Sequence, residues 1–310
     1  MTMTKVFIDG SAGTTGLRIR ERLEARKDIE LILLPDALRK QPQARKDAIH
    51  SADIAFLCLP DDAAREAVAL AGDCDTAIID TSTAHRVAPG WAYGMAELPG
   101  QRQRIAASKR VANPGCHASG FIALVAPLVH AGVLDRDIKL SCFSLTGYSG
   151  GGKKMIADYE NDGRDPLLDA PRQYGLSQAH KHLPEMAAVC GLASAPVFSP
   201  IVADFFSGME VSVPLFGEWV DGGIQRVREV FAAAYPGPVI RFVEQADESG
   251  FLSAGKLSGR DDMEVTVTGS DERMLLTARF DNLGKGASGA AIQNMNILMG
   301  TGETEGLVLG

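Results

Sequence analysis

The chain has 310 residues, of which 45% are hydrophobic, 23% charged and 6% aromatic. That is an ordinary globular composition for one or two domains, long enough to bury a core without disulfide or metal staples. The formal net charge of −8 argues against nucleic-acid binding through a broad basic field, and leaves room for an anionic small molecule held by local cations.

Cys58, Cys74, Cys116, Cys142 and Cys190 are scattered. With no CxxC and no Cys/His cluster, they predict a reduced, cytoplasmic protein with no metal centre. No signal-peptide core and no run of about 18 apolar residues appears, so no membrane association is expected.

Residues 5–9 read as a short buried strand. The turn Gly10-Ser11-Ala12-Gly13-Thr14-Thr15-Gly16 and a charged helix follow. Strands are predicted at 30–34, at 53–59 and at 76–80, with a helix capped by Asp61 and stopped at Gly72 between the last two. Strands alternating with helices imply a parallel sheet with βαβ crossovers. Beyond about residue 135 the pattern changes. Strand-like runs at 139–146, 196–204, 209–214, 239–243, 264–268 and 274–280, with one helix at 223–235, predict a mostly antiparallel α+β domain. A last apolar helix spans 286–299.

Four motifs carry chemistry. Gly10, Gly13 and Gly16 have G-x-x-G-x-x-G spacing between the first strand and first helix. Such a turn lets backbone approach a pyrophosphate while the helix start favours its charge, and Ser11, Thr14 and Thr15 add hydroxyl donors. After the second strand, Asp36 suits a ribose hydroxyl, whereas Arg39 and Lys40 suit a 2′-phosphate. The second motif is Asn113-Pro114-Gly115-Cys116-His117. A helix predicted at 119–129 puts Cys116 at or near its N-terminus, where dipole and free N–H groups favour a thiolate. The other four cysteines read as small buried hydrophobes. Third, His180 and His182 in HKHLPE offer an acid/base for a thiol adduct, while zinc would need further ligands that no spacing supplies. The fourth, DNLGKGASG at 281–289, fits either tight helix packing or a cofactor contact.

Together these features suit a thiolate attacking an activated acyl group beside a nicotinamide. The segments GSAGTTG, LCLPDDAA, IDTSTAHR, YGMAEL, NPGCHASG, TGYSGGGKKM, HKHLPE and DNLGKGASGAAIQNMN, in that order, make the chain resemble the N-acetyl-gamma-glutamyl-phosphate reductase family in its shorter variety. The resemblance implies a Rossmann-type α/β dinucleotide-binding domain at 1–115 with 286–310, and an α+β catalytic and oligomerisation domain at 116–285, as in semialdehyde dehydrogenases. It implies reduction of N-acetyl-glutamyl 5-phosphate with NADPH. Cys116 is then the nucleophile, with His180 and His182 as acid/base and substrate contact in unassigned order. His117, standing where the long variety has an aromatic residue, is a third possible partner of the thiolate. The resemblance also implies substrate contacts at Ser82 and Arg86, in a loop with Thr83, and at Asn113, and cofactor contacts at Ser149, Gly150 and Asn282. A homo-oligomer, dimer or tetramer, is expected. An aspartyl-phosphate reductase, a carrier-linked variant and a non-catalytic dinucleotide sensor are the rival readings.

Overall fold

The computed structural model describes residues 3–310, which divide into two compact units. One runs to Pro114 and resumes over Ala287–Leu307. The other holds Gly115–Gly286 with Val308–Gly310.

The first unit alternates strand and helix: β1 (Thr4–Asp9), α1 (Thr14–Glu24), β2 (Ile29–Ile32), α2 (Pro42–Ser51), β3 (Ile54–Leu57), α3 (Asp61–Ala71), β4 (Ala77–Asp80), β5 (Ala92–Tyr93), α4 (Gln101–Ala106) and β6 (Arg110–Ala112). The sheet order is β2-β1-β3-β4-β6-β5 and every pairing is parallel. Both faces are covered, so the central strands are apolar throughout, as IAFL in β3 shows. One face packs Val6, Ile54 and Ile79 with Ile292 and Met295 of the final helix. The other packs Phe7, Ile49, Ala64 and Ala67. Helix α2 escapes the hydrophobic pattern because PQARKDAIHS buries only Ala48 and Ile49 as apolar residues, together with the Arg45 guanidinium.

The chain leaves β1 toward β2 and returns on its other side to β3, so strand order reverses at the ends of β1 and β3. Open parallel sheets bind ligands at such a reversal. Gly10 sits there with φ +85°, and a Cβ on it would stand 2.2 Å from the Cys58 carbonyl oxygen. Only glycine fits that approach.

The second unit contains α5 (Cys116–His130), β7 (Ser141–Gly147), α6 (Gly152–Glu160), β8 (Arg172–Gln173), α7 (Leu183–Cys190), β9 (Val197–Ala203), β10 (Met209–Phe216), α8 (Gly223–Ala234), β11 (Ile240–Phe242), β12 (Met263–Gly269) and β13 (Arg273–Phe280). The final helix, α9 (Gly289–Met299), packs in the first unit against α4, α1 and β4. The second sheet runs β11-β12-β13-β10-β7-β9-β8. Its core is antiparallel, but β11 with β12 and β7 with β9 are parallel. Alternation along a strand marks which face it buries and carries no direction, which is why these two pairs were not anticipated.

Helix α5 begins at Cys116 itself, three residues ahead of the predicted start. Gly115 is extended at the cap, and the Ser119 N–H closes the first helical bond on the Gly115 carbonyl at 2.8 Å. Pro127 lies inside this helix. It has no N–H, so the Ala123 carbonyl four residues earlier lacks its helical donor. The Tyr235 hydroxyl, at the end of α8, supplies one at 2.7 Å. That bond keeps a buried acceptor satisfied. Tyr235→Phe should therefore lower unfolding free energy by about 1–3 kcal/mol in urea denaturation, the usual cost of stranding a buried carbonyl. An unchanged midpoint would show that Ala123 finds another donor.

Candidate active site

The nucleophile candidate is set by α5. The helix has no acidic residue in its first turn, and its cap residue, Gly115, brings no side chain of its own. Cys116, the first helical residue, is partly exposed. Its thiol stands where the helix dipole favours negative charge. Desolvation pushes the Cys58 thiol up to about 12 and raises Cys142 and Cys190 as well. Those three stay thiols at neutral pH. A Cβ on Gly286 would lie 3.0 Å from the Cys116 Cβ, so glycine there leaves the space at the nucleophile open.

Helix α7 packs against α5 and brings the paired histidines. His182 caps α7, and its backbone N–H donates to His180 Nδ1 at 3.2 Å. Nδ1 of His180 is thus an acceptor, which places the ring proton on Nε2. Glu185, 1% exposed, accepts the Gly115 N–H at 3.2 Å. Its carboxyl ties the HKHLPE segment to the residue before the nucleophile.

His117 is 3% exposed. Nδ1 bonds Ser144 Oγ and Nε2 bonds the Tyr174 hydroxyl, each at 2.6 Å. Its ring lies 5.7 Å from His180 and 5.6 Å from His182. Burial, with the nearby His180 charge, pushes its pKa down to about 3. His117 is therefore neutral with both nitrogens engaged. This corrects the expectation of a possible imidazolium partner for the thiolate: at the second helical position the ring turns into the polar network at β7. Burial and the nearby Cys116 charge raise the Tyr174 phenol, which stays protonated. Ser144, Tyr174 and Glu185 were not singled out from sequence. Glu185 sat inside a quoted motif, but Ser144 and Tyr174 lie 27 and 57 positions from His117 with no local mark.

Ser149, Gly150 and Asn282 come together in this unit. Asn282 Nδ2 donates to Ser149 Oγ at 3.0 Å, its Oδ1 accepts the Gly208 N–H at 2.9 Å, and Gly150 lies alongside. Asn282 and Ser149 are both buried, so they brace the glycine loop.

In the first unit, α1 starts after Gly13 with no side-chain cap and no acid in its first turn. Gly10, Ser11, Gly13, Thr14, Thr15 and Gly16 surround that start, and the Gly13 N–H folds back to the Gly10 carbonyl at 3.0 Å. Asp9 beside the turn is matched by buried Arg45, Nε to Oδ2 at 2.9 Å. The cradle fits a dinucleotide pyrophosphate. Arg39 Nη1 meets Asp36 at 2.9 Å, so Asp36 is engaged with its neighbour. Ser82 and Asn113 are buried. Ser82 bonds Asp80, while Asn113 donates to the Ala287 carbonyl and accepts from Asn294. Arg86 donates to the Asn113 and Thr81 carbonyls and braces the ends of β6 and β4.

A neutral buried histidine makes stability depend on pH. The unfolded chain binds a proton at His117 below its ordinary 6.5 and the folded chain does so only near 3. Stability from this group is complete above pH 6.5 and falls as pH drops toward 3. Between pH 7 and pH 5 the wild type should lose about 2 kcal/mol more than His117→Gln in paired denaturation curves. Parallel losses would show that His117 is not held neutral.

Two family models match. The semialdehyde dehydrogenase NAD binding domain covers residues 5–107, and the semialdehyde dehydrogenase dimerisation domain covers residues 116–282. Curated relatives named N-acetyl-gamma-glutamyl-phosphate reductase are 50% identical in Brucella anthropi and 49% in Brucella ovis, over 96% of this chain and 98% and 99% of theirs. Among solved structures, aspartate semialdehyde dehydrogenase II of Vibrio cholerae, complexed with ASA, is similar at a TM-score of 0.74 and 15% identity, over 96% of this chain and 99% of that one. The Candida albicans aspartate semialdehyde dehydrogenase with NADP gives 0.67 and 16%, with the same coverage. At that identity they speak for the fold. No helix among the described residues is long and apolar enough to cross a membrane. With half its residues shared over nearly its full length, the chain belongs to the N-acetyl-gamma-glutamyl-phosphate reductase family, built on the semialdehyde dehydrogenase fold.

Proposed function

We propose that the protein reduces N-acetyl-L-glutamyl 5-phosphate to N-acetyl-L-glutamate 5-semialdehyde and phosphate, with NADPH, in arginine biosynthesis. The observation that carries this is Cys116 at the first position of α5 in a chain half identical to reductases of that name over 96% of its length.

Cys116 is the nucleophile. Its thiolate attacks the acyl carbon, the bond to the phosphate oxygen breaks, and a thioester remains. NADPH, when bound, supplies the hydride for that carbonyl. Gly10, Ser11, Gly13, Thr14, Thr15 and Gly16 would hold its pyrophosphate and Arg39 its 2′-phosphate. Asn282 and Ser149 act by fixing the loop that presents Gly150. His182 is the acid/base at the oxygen of the Cys116 adduct, reached by elimination. His117 is neutral and fully bonded. His180 accepts a backbone N–H at Nδ1, which presets Nε2 as a donor and hinders the cycling an acid/base needs. His180 is then a hydrogen-bond donor to substrate, and Arg86 an anion contact. The protein also self-associates in this reading. The second sheet leaves Phe143 and Val197 exposed on the face opposite the one α5 covers, and its solution mass measures the outcome.

The test is steady-state kinetics in the oxidative direction, with N-acetylglutamate semialdehyde, aspartate semialdehyde and glyceraldehyde 3-phosphate, each with phosphate and either NADP or NAD. N-acetylglutamate semialdehyde with NADP should be preferred. Cys116→Ser should abolish turnover. His182→Asn should lower kcat by about 10²–10⁴-fold and remove one limb of the pH profile. His180→Asn should act mainly through KM. Near wild-type activity in Cys116→Ser, or equal tolerance of both histidine changes, would sink these assignments.

A further inference from the structure

One buried carboxylate folds the segment that follows β13. Asp281 is fully buried. Its Oδ1 accepts the N–H groups of Leu283, at 2.6 Å, and of Gly284, at 3.1 Å. Its Oδ2 accepts the Ser207 hydroxyl at 3.0 Å and the Gly259 N–H. The carbonyl of the same residue accepts the N–H groups of Gly284, at 3.1 Å, and of Gly286, at 3.0 Å. The bond to Gly286 spans five residues and belongs to a π-helical turn, Gly284–Ser288. Single π turns are rare and gather at functional sites.

This wide turn is wedged on two sides within the second unit. A Cβ on Gly284 would stand 1.9 Å from the Arg260 carbonyl oxygen. A Cβ on Gly286 would stand 3.0 Å from the Cys116 Cβ and 3.4 Å from the ring of Phe280, which is itself fully buried. The Gly286 backbone therefore lies directly against the Cys116 side chain. A cysteine has one side-chain torsion with three staggered wells, and a helix already disfavours the one near +60°. Backbone packed on the Cβ narrows what remains. Gly286 carries no side chain, so what reaches the nucleophile is the place of the turn. A carboxylate needed only to end β13 would bond the two N–H groups that follow it. The bonds to Ser207 and Gly259 also set where the turn stands.

We propose that Asp281 is a positioning residue for the nucleophile: through the π turn it holds Gly286 against Cys116 and so fixes the direction of the thiol. The proposal rests on the reading of Cys116 as nucleophile and adds what aims it. A thiol free to swing spends less time where the start of α5 favours its anion, and less time aligned on an acyl carbon.

The test follows alkylation of Cys116 by iodoacetamide across pH, read by peptide mass, in wild type, Asp281→Asn, Gly286→Ala and the double variant. The asparagine puts a donor where one carboxylate oxygen accepted, and the alanine crowds the Cys116 Cβ. Each single change should raise the apparent thiol pKa by about half a unit. In the oxidative direction each should lower kcat about tenfold or more, with KM for phosphate and semialdehyde within about twofold. The double variant should be no worse than the weaker single one, because both changes act through one contact. An unchanged alkylation profile, with only the melting temperature lowered, overturns the proposal, and so do additive losses. A crystal structure of the wild type needs no variant to fold. It should show Cys116 Sγ in one rotamer with the Gly286 N–H on the Asp281 carbonyl, and Sγ spread over several rotamers refutes the positioning. If Cys116→Ser kept its turnover, the nucleophile reading would fail on its own, while alkylation and rotamer still decide what Asp281 does.

Discussion

The site depends on where α5 starts. Gly115 is extended and Cys116 is already helical, so the thiol sits in the first turn, at the positive end of the helix dipole. The rest of that helix is nearly all buried, from His117 through Leu128. A dipole ending in such surroundings is less screened by water than one on the surface, so its pull on a thiolate is stronger. The fold maintains this start from both directions. Glu185 holds the Gly115 N–H from α7, and Tyr235 repairs the carbonyl that Pro127 would otherwise strand.

Around the nucleophile the structure separates three histidines that are alike in sequence. His117 is made neutral by burial and kept so by Ser144 and Tyr174. His180 has its tautomer set by a backbone N–H. His182 stands at the cap of α7. Environment distinguishes them, and each environment is built from a different element: β7, the loop after β8, and α7.

Much of this was legible from sequence because the signals are local. Gly10 is demanded by a backbone approach that no side chain permits, and the glycine spacing reports it. The βαβ series shows in apolar strands such as IAFL, and NPGC marks a strand-to-helix turn. The alternation of 209–214 and 274–280 located β10 and β13 to within two residues. What was hidden is non-local. Helix α2 buries too few apolar residues to show a period. The parallel pairs in the second sheet are set by the path of the chain, to which side-chain alternation is blind. Asn282 and Ser149 are 133 positions apart, and each alone looks like a ligand contact before the other is seen filling it. His117 shows the limit most clearly. Adjacency to Cys116 suggested an ion pair, but one step along a helix turns a side chain about 100° away, into a network whose other members carry no mark in the sequence.

The central claim is that Cys116 carries the acyl group. It is tested most directly by mixing the protein with N-acetyl-L-glutamyl 5-phosphate without NADPH and recording phosphate release and intact mass together. The account predicts one phosphate released and one N-acetylglutamyl adduct per chain, mapped to the peptide containing Cys116 and discharged when NADPH is added. Turnover with no adduct at any time, or an adduct on Cys58, Cys74, Cys142 or Cys190 in place of Cys116, would contradict it.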